Sequence, residues 1–400
     1  MKLKLTAIVF GILSFGFFSC SENAENNLRE DASQIDLGWE IVDSLDFEYL
    51  GDPVLGDVNV AANRALFYNY VDQNIILTDL GGNIINEFKK TEDTPDSYGF
   101  LMELPGFFND QSILILGLSG VFIYDLESNL IKKIDHPEAV GMAAFMAKVG
   151  KTIKSTSFDG KDYILSKSIR NNESFPGEQK FYEEFTGLEL IDVEAGTGVG
   201  IVPFPEGSVF LNGMGYYMSD YEPAYAAEGK KLYAVLGGEP ILHVMTLNNE
   251  GASLDTLVNL EIPGFGELEG KELSSFSEGS VMVTGSTPAI RDIHLVDGKI
   301  LLPYYAGMDP GKMEELMGIF ESGDQELAEN MYEQFEKEVI KGVLVYDSKT
   351  LEYQGEIKMT EKLPNVTFAS DGGFLWMQRP MSKEVEEDFR RVYKVKITEK

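Results

Sequence analysis

From residue 39 onward, short apolar runs alternate with polar positions and are bounded by Gly, Asn and Asp, while helical spacing is rare. Period-two runs of this kind predict β-strands with one face buried. One unit recurs: an extended run ending in an acidic or polar residue, a turn, and a second extended run. It reads NIILTDLGGNIINEF from Asn74, VFIYDLESNLIKKI from Val121 and LELIDVEAGTGVGIV from Leu188. It returns as LHVMTLNNEGASLDTLV from Leu242 and VLVYDSKTLEYQGEI from Val343, with a shortened copy, RVYKVKI, from Arg391. Aligned on Asp79, Asp125, Asp192, Thr246, Asp347 and Lys394, the copies stand 46, 67, 54, 101 and 47 residues apart.

The shorter spacings match a four-stranded propeller blade of about 40–50 residues. The longer ones are explained by inserts at 170–187, 263–288 and 309–340; without them the two long intervals shrink to 49 and 43 residues. Upstream of the repeat lie tight hairpins, clearest in DIHLVDGKILLPYY from Asp292, where Asp297-Gly298 suits a two-residue turn. AEGKKLYAVLGG from Ala227 and ASDGGFLWMQRP from Ala369 share that design. The last unit stops at its third strand, and WEIVDSLDFEYL from Trp39 is a spare strand that can complete it. The expectation is an all-β, six-bladed β-propeller closed by an N-terminal strand, with a helical insertion in the fifth blade. Closure removes a long unpaired edge. A β-sandwich, two smaller β domains and a seven-bladed ring are the competing architectures.

The N-terminus changes the picture of where the protein acts. Lys2 and Lys4 precede the apolar run LTAIVFGILSFGFF, which has the layout of a secretory signal. The run is shorter than the roughly 20 residues a membrane-spanning helix needs. Ser19 and Cys20, the only cysteine in the chain, offer the cleavage and lipidation point of a bacterial lipoprotein; an ordinary signal with an incidental cysteine is the alternative. A lipidated Cys20 leaves no free thiol and no disulfide, so stability must come from packing. The domains then read 1–19 signal peptide, 20–37 disordered tether and 38–400 propeller, with 309–340 inserted in it. The tether SENAENNLREDASQ is polar and nearly without apolar residues.

The chain has 33 basic and 66 acidic residues, a net charge of −33. Such a field repels nucleic acid and anionic headgroups, so neither is expected as a partner, and membrane contact is expected through the lipid alone. A signal, an acidic tether and one propeller together resemble the uncharacterised domain-of-unknown-function propeller lipoproteins of Bacteroidetes, with a six-bladed, TolB-like layout. The resemblance implies a cell-envelope, outer-membrane location, facing either the periplasm or the surface. It carries no catalytic motif and no substrate.

In propellers, loops between second and third strands share a face with the blade-to-blade connections. The segments 170–187, 263–288, 309–340 and 380–390 fall there and predict an enlarged rim, the usual place for a site on a rigid scaffold. In 309–340, Asp309 and Pro310 open a helix, with Met313, Leu316, Met317 and Phe320 on one face; a second helix aligns Leu327, Met331, Phe335 and Val339. This pair either packs on the blades, moves as a lid or docks a partner. Candidate ligand contacts at second-strand ends are Tyr70, Arg170, Tyr304, Tyr305, Trp376 and Arg379, since arginine can hold a carboxylate or sulfate and aromatics can stack on sugar rings. Surface ion pairs or blade packing are the competing roles for each.

Signals for catalysis are thin. His136, His243 and His294 are scattered, with no metal-ligand spacing; His294 falls in an expected channel-lining strand, where a packed core histidine is the simpler role. GLSG at Gly117 and GTGVG at Gly196 read as turns. No cofactor and no metal site are expected, and catalytic residues are unassigned. The functional expectation is a lipid-anchored propeller that binds a small-molecule or glycan ligand or an envelope protein. A metal-assisted hydrolase or lyase acting on glycan or lactone is the alternative.

Overall fold

The recurring acidic residue of the repeat ends the third strand of a blade, and the computed structural model shows what it does there. Asp79 accepts from the backbone N–H groups of Gly81 and Asn83, each at 2.9 Å. Asp125 accepts from Asn129, Asp192 from Ala195, and Asp347 from Lys349 and Thr350. Each carboxylate thus closes the turn into the fourth strand, and these bonds hold it below its ordinary pKa. The fourth unit is offset: Asn248, not Thr246, accepts from Glu250 N at 2.8 Å, two residues later than the sequence alignment places the turn.

The structure describes residues 37–138, 147–170, 173–278, 286–359, 367–381 and 387–399. The signal, Cys20 and nearly all of the tether lie outside them. The described residues open with β1 (Leu37–Glu48). The first blade is β2 (Val54–Asn59), β3 (Arg64–Asn69), β4 (Asn74–Asp79) and β5 (Ile84–Phe88). The second is β6 (Gly106–Asn109), β7 (Ser112–Gly117), β8 (Gly120–Asp125) and β9 (Leu130–Asp135). The third is β10 (Lys154–Phe158), β11 (Lys161–Lys167), β12 (Thr186–Asp192) and β13 (Thr197–Pro203), with helix α1 (Gln179–Glu183) between β11 and β12.

After helix α2 (Met218–Tyr221), the fourth blade is β14 (Pro223–Glu228), β15 (Lys231–Leu236), β16 (Ile241–Asn248) and β17 (Gly251–Asn259). The fifth has a broken inner strand, β18 (Ala289–Ile290) and β19 (His294–Val296), then β20 (Lys299–Tyr305), β21 (Lys341–Asp347) and β22 (Tyr353–Lys358). Helices α3 (Pro310–Ser322) and α4 (Gln325–Glu338) stand between β20 and β21. The sixth is β23 (Phe368–Asp371), β24 (Phe374–Gln378) and β25 (Phe389–Glu399), and β1 pairs with β25 as its outer strand. Six sheets, one closed by the N-terminal strand, make the expected propeller. The closing register pairs Trp39 with Ile397 and Asp46 with Arg391.

Apolar side chains of each sheet pack against the next blade. Leu66, Leu77, Ile113 and Phe122 lie between the first and second blades, Leu114, Ile123, Ile164 and Ile191 between the second and third. Leu190, Leu232 and Met245 join the third to the fourth, and Val235, Leu242, Ile300 and Leu344 the fourth to the fifth. Phe47 and Leu45 of β1 meet Leu55 and Phe67 of the first blade, so the closing strand also seals the ring. Near the axis the inner strands come so close that only glycine fits. A Cβ on Gly106 would lie 2.3 Å from the Ile153 carbonyl oxygen, and one on Gly56 2.7 Å from that of Pro105.

Antiparallel pairing sends first-to-second and third-to-fourth turns to one edge of every blade. Those turns are short, such as 159–160, 229–230, 297–298 and 372–373. The second-to-third and blade-to-blade segments leave by the other edge, and there the long connections 168–185, 204–222, 260–288 and 306–340 gather. On that face Phe181, Tyr182, Phe185, Phe204, Phe210, Tyr216 and Tyr221 form one aromatic cluster tying 168–185 to 204–222. The helical pair keeps its own small core of Met308, Leu316, Ala328 and Phe335. Met317, Phe320 and Leu327, which helical spacing aligns with those residues, are exposed.

Candidate functional site

The six expected contact residues have partners within the molecule. Arg170 donates through Nε to Glu189 Oε1 at 3.2 Å and through Nη2 to the Gly198 carbonyl at 2.8 Å. Arg379 Nη2 donates to Glu387 Oε2 at 2.6 Å, and its guanidinium lies over the Phe389 ring. Tyr304 and Tyr305 are buried and donate to Glu356 and Glu336, at 2.7 and 2.8 Å. Burial, and then these carboxylates, push both phenols well up. Trp376 is buried, with Lys394 over its ring. Only Tyr70 of the six is exposed, and it donates to the Ala147 carbonyl at 3.2 Å. Each guanidinium thus already faces a carboxylate of its own blade, and three of the four rings are enclosed.

A cavity of about 480 Å³ opens instead at the central channel, on the edge carrying the short turns. Inner strands of five blades line it: Asp57 of β2, Lys154 and Ser155 of β10, Ala226, Ala227 and Glu228 of β14, Ile293 and Leu295 beside and within β19, and Ser370 and Asp371 of β23. Turn residues Asp297, Gly298, Gly372 and Gly373 complete the wall. Both residues of the 297–298 and 372–373 turns have positive φ, as a two-residue hairpin demands. These are the hairpins legible in the sequence; their opposite ends carry the expected contacts. Lys154 is the cation of this wall, and its ammonium makes no hydrogen bond or ion pair among the described residues. Asp57 accepts from Phe107 N at 2.9 Å and Val58 N at 3.0 Å; burial raises its pKa against the pull of Lys154.

Deeper along the axis lies a network of charged groups. Glu222, just before β14, sits 2.6 Å from Lys148 Nζ and 3.7 Å from Lys167 Nζ. Burial raises the Glu222 pKa, but Lys167, Lys148 and Lys151 together bring it below its ordinary value. Lys151 donates to the Pro223 carbonyl at 2.9 Å, and burial depresses its pKa and that of Lys167. Glu103 is buried, accepts from Tyr225 OH at 3.0 Å and from Lys167 N at 3.2 Å, and is pushed up to about 7 by burial. Four lysines of one blade and its lead-in therefore face the axis of an acidic protein. Sequence reasoning missed them because none stands in a motif; the available signal was their position at the ends of an inner strand and its neighbour.

The histidines divide. His136 Nε2 is 2.7 Å from the Gly117 carbonyl. His243 is buried without a partner for Nε2 among the described residues, and burial pushes it down to about 4. His294 is fully buried, with Nδ1 3.2 Å from Ser370 Oγ and Nε2 3.1 Å from Asp292 Oδ2. That second contact has ion-pair distance but is out of line for a hydrogen bond. Asp292 falls where the inner strand breaks between β18 and β19, and there its Oδ1 accepts from Ile293 N at 2.8 Å. Burial raises its pKa, yet His294, Lys154 and Lys151 bring it below the ordinary value. Among the described residues, no three His, Cys, Asp or Glu side chains are grouped to hold a metal ion.

No protein-family model and no curated protein match this chain. Among solved structures it is similar to a member of the DUF4221 family from Bacteroides vulgatus, with a TM-score of 0.61 and 12% identity over 92% of this chain and 100% of the other. It is also similar to a Bacteroides fragilis protein assigned as exported, with a TM-score of 0.52 and 10% identity over 90% and 95% of the two chains. At these identities the likeness shows the fold, a six-bladed propeller resembling proteins of unknown function from Bacteroides.

Proposed function

We propose that the protein is an exported, lipid-anchored propeller that binds a small polar ligand at the channel mouth. The observation that carries this reading is the cavity itself, where polar side chains from five blades line a volume suited to a small molecule. The lipoprotein-like N-terminus and the fold shared with an exported Bacteroides fragilis protein support the address.

The test is melting temperature against a panel of monosaccharides, disaccharides and amino acids. Ala227→Trp plugs the mouth from an edge position that is only partly buried. A shift for the wild type that Ala227→Trp loses supports the reading; no shift for any compound, or equal shifts in both proteins, overturns it. For the anchor, metabolic labelling with an alkyne fatty acid should tag the wild type and leave Cys20→Ser untagged and released from the membrane fraction. A protein partner on the opposite face is a second reading, supported by exposed Met317, Phe320 and Leu327 on the helical pair. Cross-linking in cells through α3 should then recover a defined envelope protein, and recovering none counts against it.

A further inference from the structure

Beside the channel mouth a serine, a histidine and an aspartate stand next to one another in that order across two blades. Ser370 of β23 lines the cavity, and its Oγ lies 3.2 Å from His294 Nδ1. His294 Nε2 lies 3.1 Å from Asp292 Oδ2, whose other oxygen accepts from Ile293 N at 2.8 Å. The imidazole is walled in by Phe368, edge-on at 5.8 Å, so its orientation is fixed by packing. With Nε2 carrying the proton toward Asp292, Nδ1 is left as the acceptor for the serine proton. This is the relation of nucleophile, base and orienting carboxylate, reached with the two ring nitrogens in exchanged roles. The poor alignment at Nε2 is of the kind that tightens on substrate binding.

Two further features stand where charge would develop. The Lys154 ammonium lines the same cavity and lies close enough to lower the pKa of Asp292. Gly372 and Gly373, directly after Asp371, bring bare backbone to the cavity wall, since neither carries a side chain. A cation and exposed backbone beside a nucleophile are means by which an oxyanion is stabilised.

We propose that Ser370, His294 and Asp292 form a hydrolytic site for acyl esters of neutral or cationic, hydroxyl-rich alcohols. It rests on the channel mouth being the ligand site. Ser370 Oγ attacks the ester carbonyl carbon as its proton passes to His294 Nδ1. The carbon–alkoxide bond breaks, and the alcohol departs with that proton, leaving an acyl-serine. Water then attacks the acyl carbon, giving a proton to Nδ1; the carboxylic acid leaves and Ser370 recovers its proton. The net change is ester plus water to acid plus alcohol. Asp292 positions the imidazole and is not itself a reacting group. The alcohol class follows from the lining: Asp57, Glu228, Asp297 and Asp371 accept hydroxyl protons and repel anions, against Lys154 alone.

The full chain is treated with a biotinylated fluorophosphonate and digested for mass spectrometry, and p-nitrophenyl acetate hydrolysis is followed beside the anionic ester 4-acetoxybenzoate. The wild type should carry the adduct on Ser370 and, with each rate divided by that ester's own rate of hydrolysis in buffer, prefer the neutral ester by about tenfold or more. Ser370→Ala, which removes a single oxygen, should lose both adduct and turnover. His294→Gln should be slower by about 100-fold or more. A folded wild type with no adduct on Ser370, or a Ser370→Ala protein that hydrolyses as fast, overturns the proposal. Because His294 is buried, its variant is read only if its melting curve is intact, and Ser370→Ala carries the decision. Saccharide-induced melting shifts that Ala227→Trp abolishes, in a protein that takes no label, would sink the hydrolytic site while leaving the binding reading standing.

Discussion

At the scale of single residues, the chain uses carboxylates for opposite purposes according to their surroundings. Asp79, Asp125, Asp192 and Asp347 are near the surface, fully ionised and bonded to turn N–H groups. Glu103, on the axis, is buried and pushed up to about 7. Its native pKa lies above the ordinary glutamate value, so the native state holds a proton that the unfolded chain releases. Its contribution is complete below the unfolded pKa and is lost as the pH rises through about 7. By linkage the loss is on the order of 3 kcal/mol. Glu103→Gln, which mimics the neutral acid, should match the wild type near pH 5 and exceed its stability at pH 8. Chemical denaturation of both proteins at the two pH values checks this, and equal stability at pH 8 would refute the assigned burial cost.

At the scale of elements, β1 does two jobs. It completes the sixth sheet through eleven paired positions, and it drives Phe47 against Phe67 of the first blade at a ring separation of 4.4 Å. Phe47→Ala removes that seal and should cost about 3–5 kcal/mol. A chain lacking residues 37–48 should expose the β25 edge and self-associate on size exclusion, because an unpaired strand seeks another. The helical pair is different in kind. Its core is built from its own residues, and Tyr305 donating to Glu336 and Lys341 pairing with the same carboxylate at 2.6 Å tie it to the fifth blade. Replacing α3 and α4 by a short Gly-Ser turn should therefore leave the six sheets intact by circular dichroism and lower the melting temperature only modestly.

At the scale of the whole molecule, a net charge of −33 makes the folded ring repel itself. Raising ionic strength from 0.01 to 0.15 M shortens the screening length from ~30 to ~8 Å. The melting temperature should rise over that range and then level off; a flat response would mean that the negative surface is already neutralised by bound cations. The same field makes the lysines around the axis conspicuous. They lie beside Glu222, Glu103 and Asp292, so the channel is locally balanced inside an acidic shell.

The sequence alone determined the blade count, the closing strand and the two helices of 309–340. Each rests on local chemistry: period-two alternation, Asp-closed turns, Gly-containing hairpins, an Asp-Pro helix start. The sequence missed the long connection 204–222, and 382–386 of the insert expected at 380–390 lie outside the described residues. The offset at Asn248 marks the limit of that reading, since a turn can slide by two residues without disturbing the alternation. Only the tertiary structure decided which residues meet. Arg170 and Arg379 turned to glutamates of their own blades, and Tyr304 and Tyr305 went into packing, because a strand end says nothing about the partner opposite it. Asp57, Lys154, Asp292, His294 and Ser370 come from four blades and up to 313 residues apart in the chain. Closing a ring brings inner strands together by geometry, and no spacing along a linear chain records that convergence.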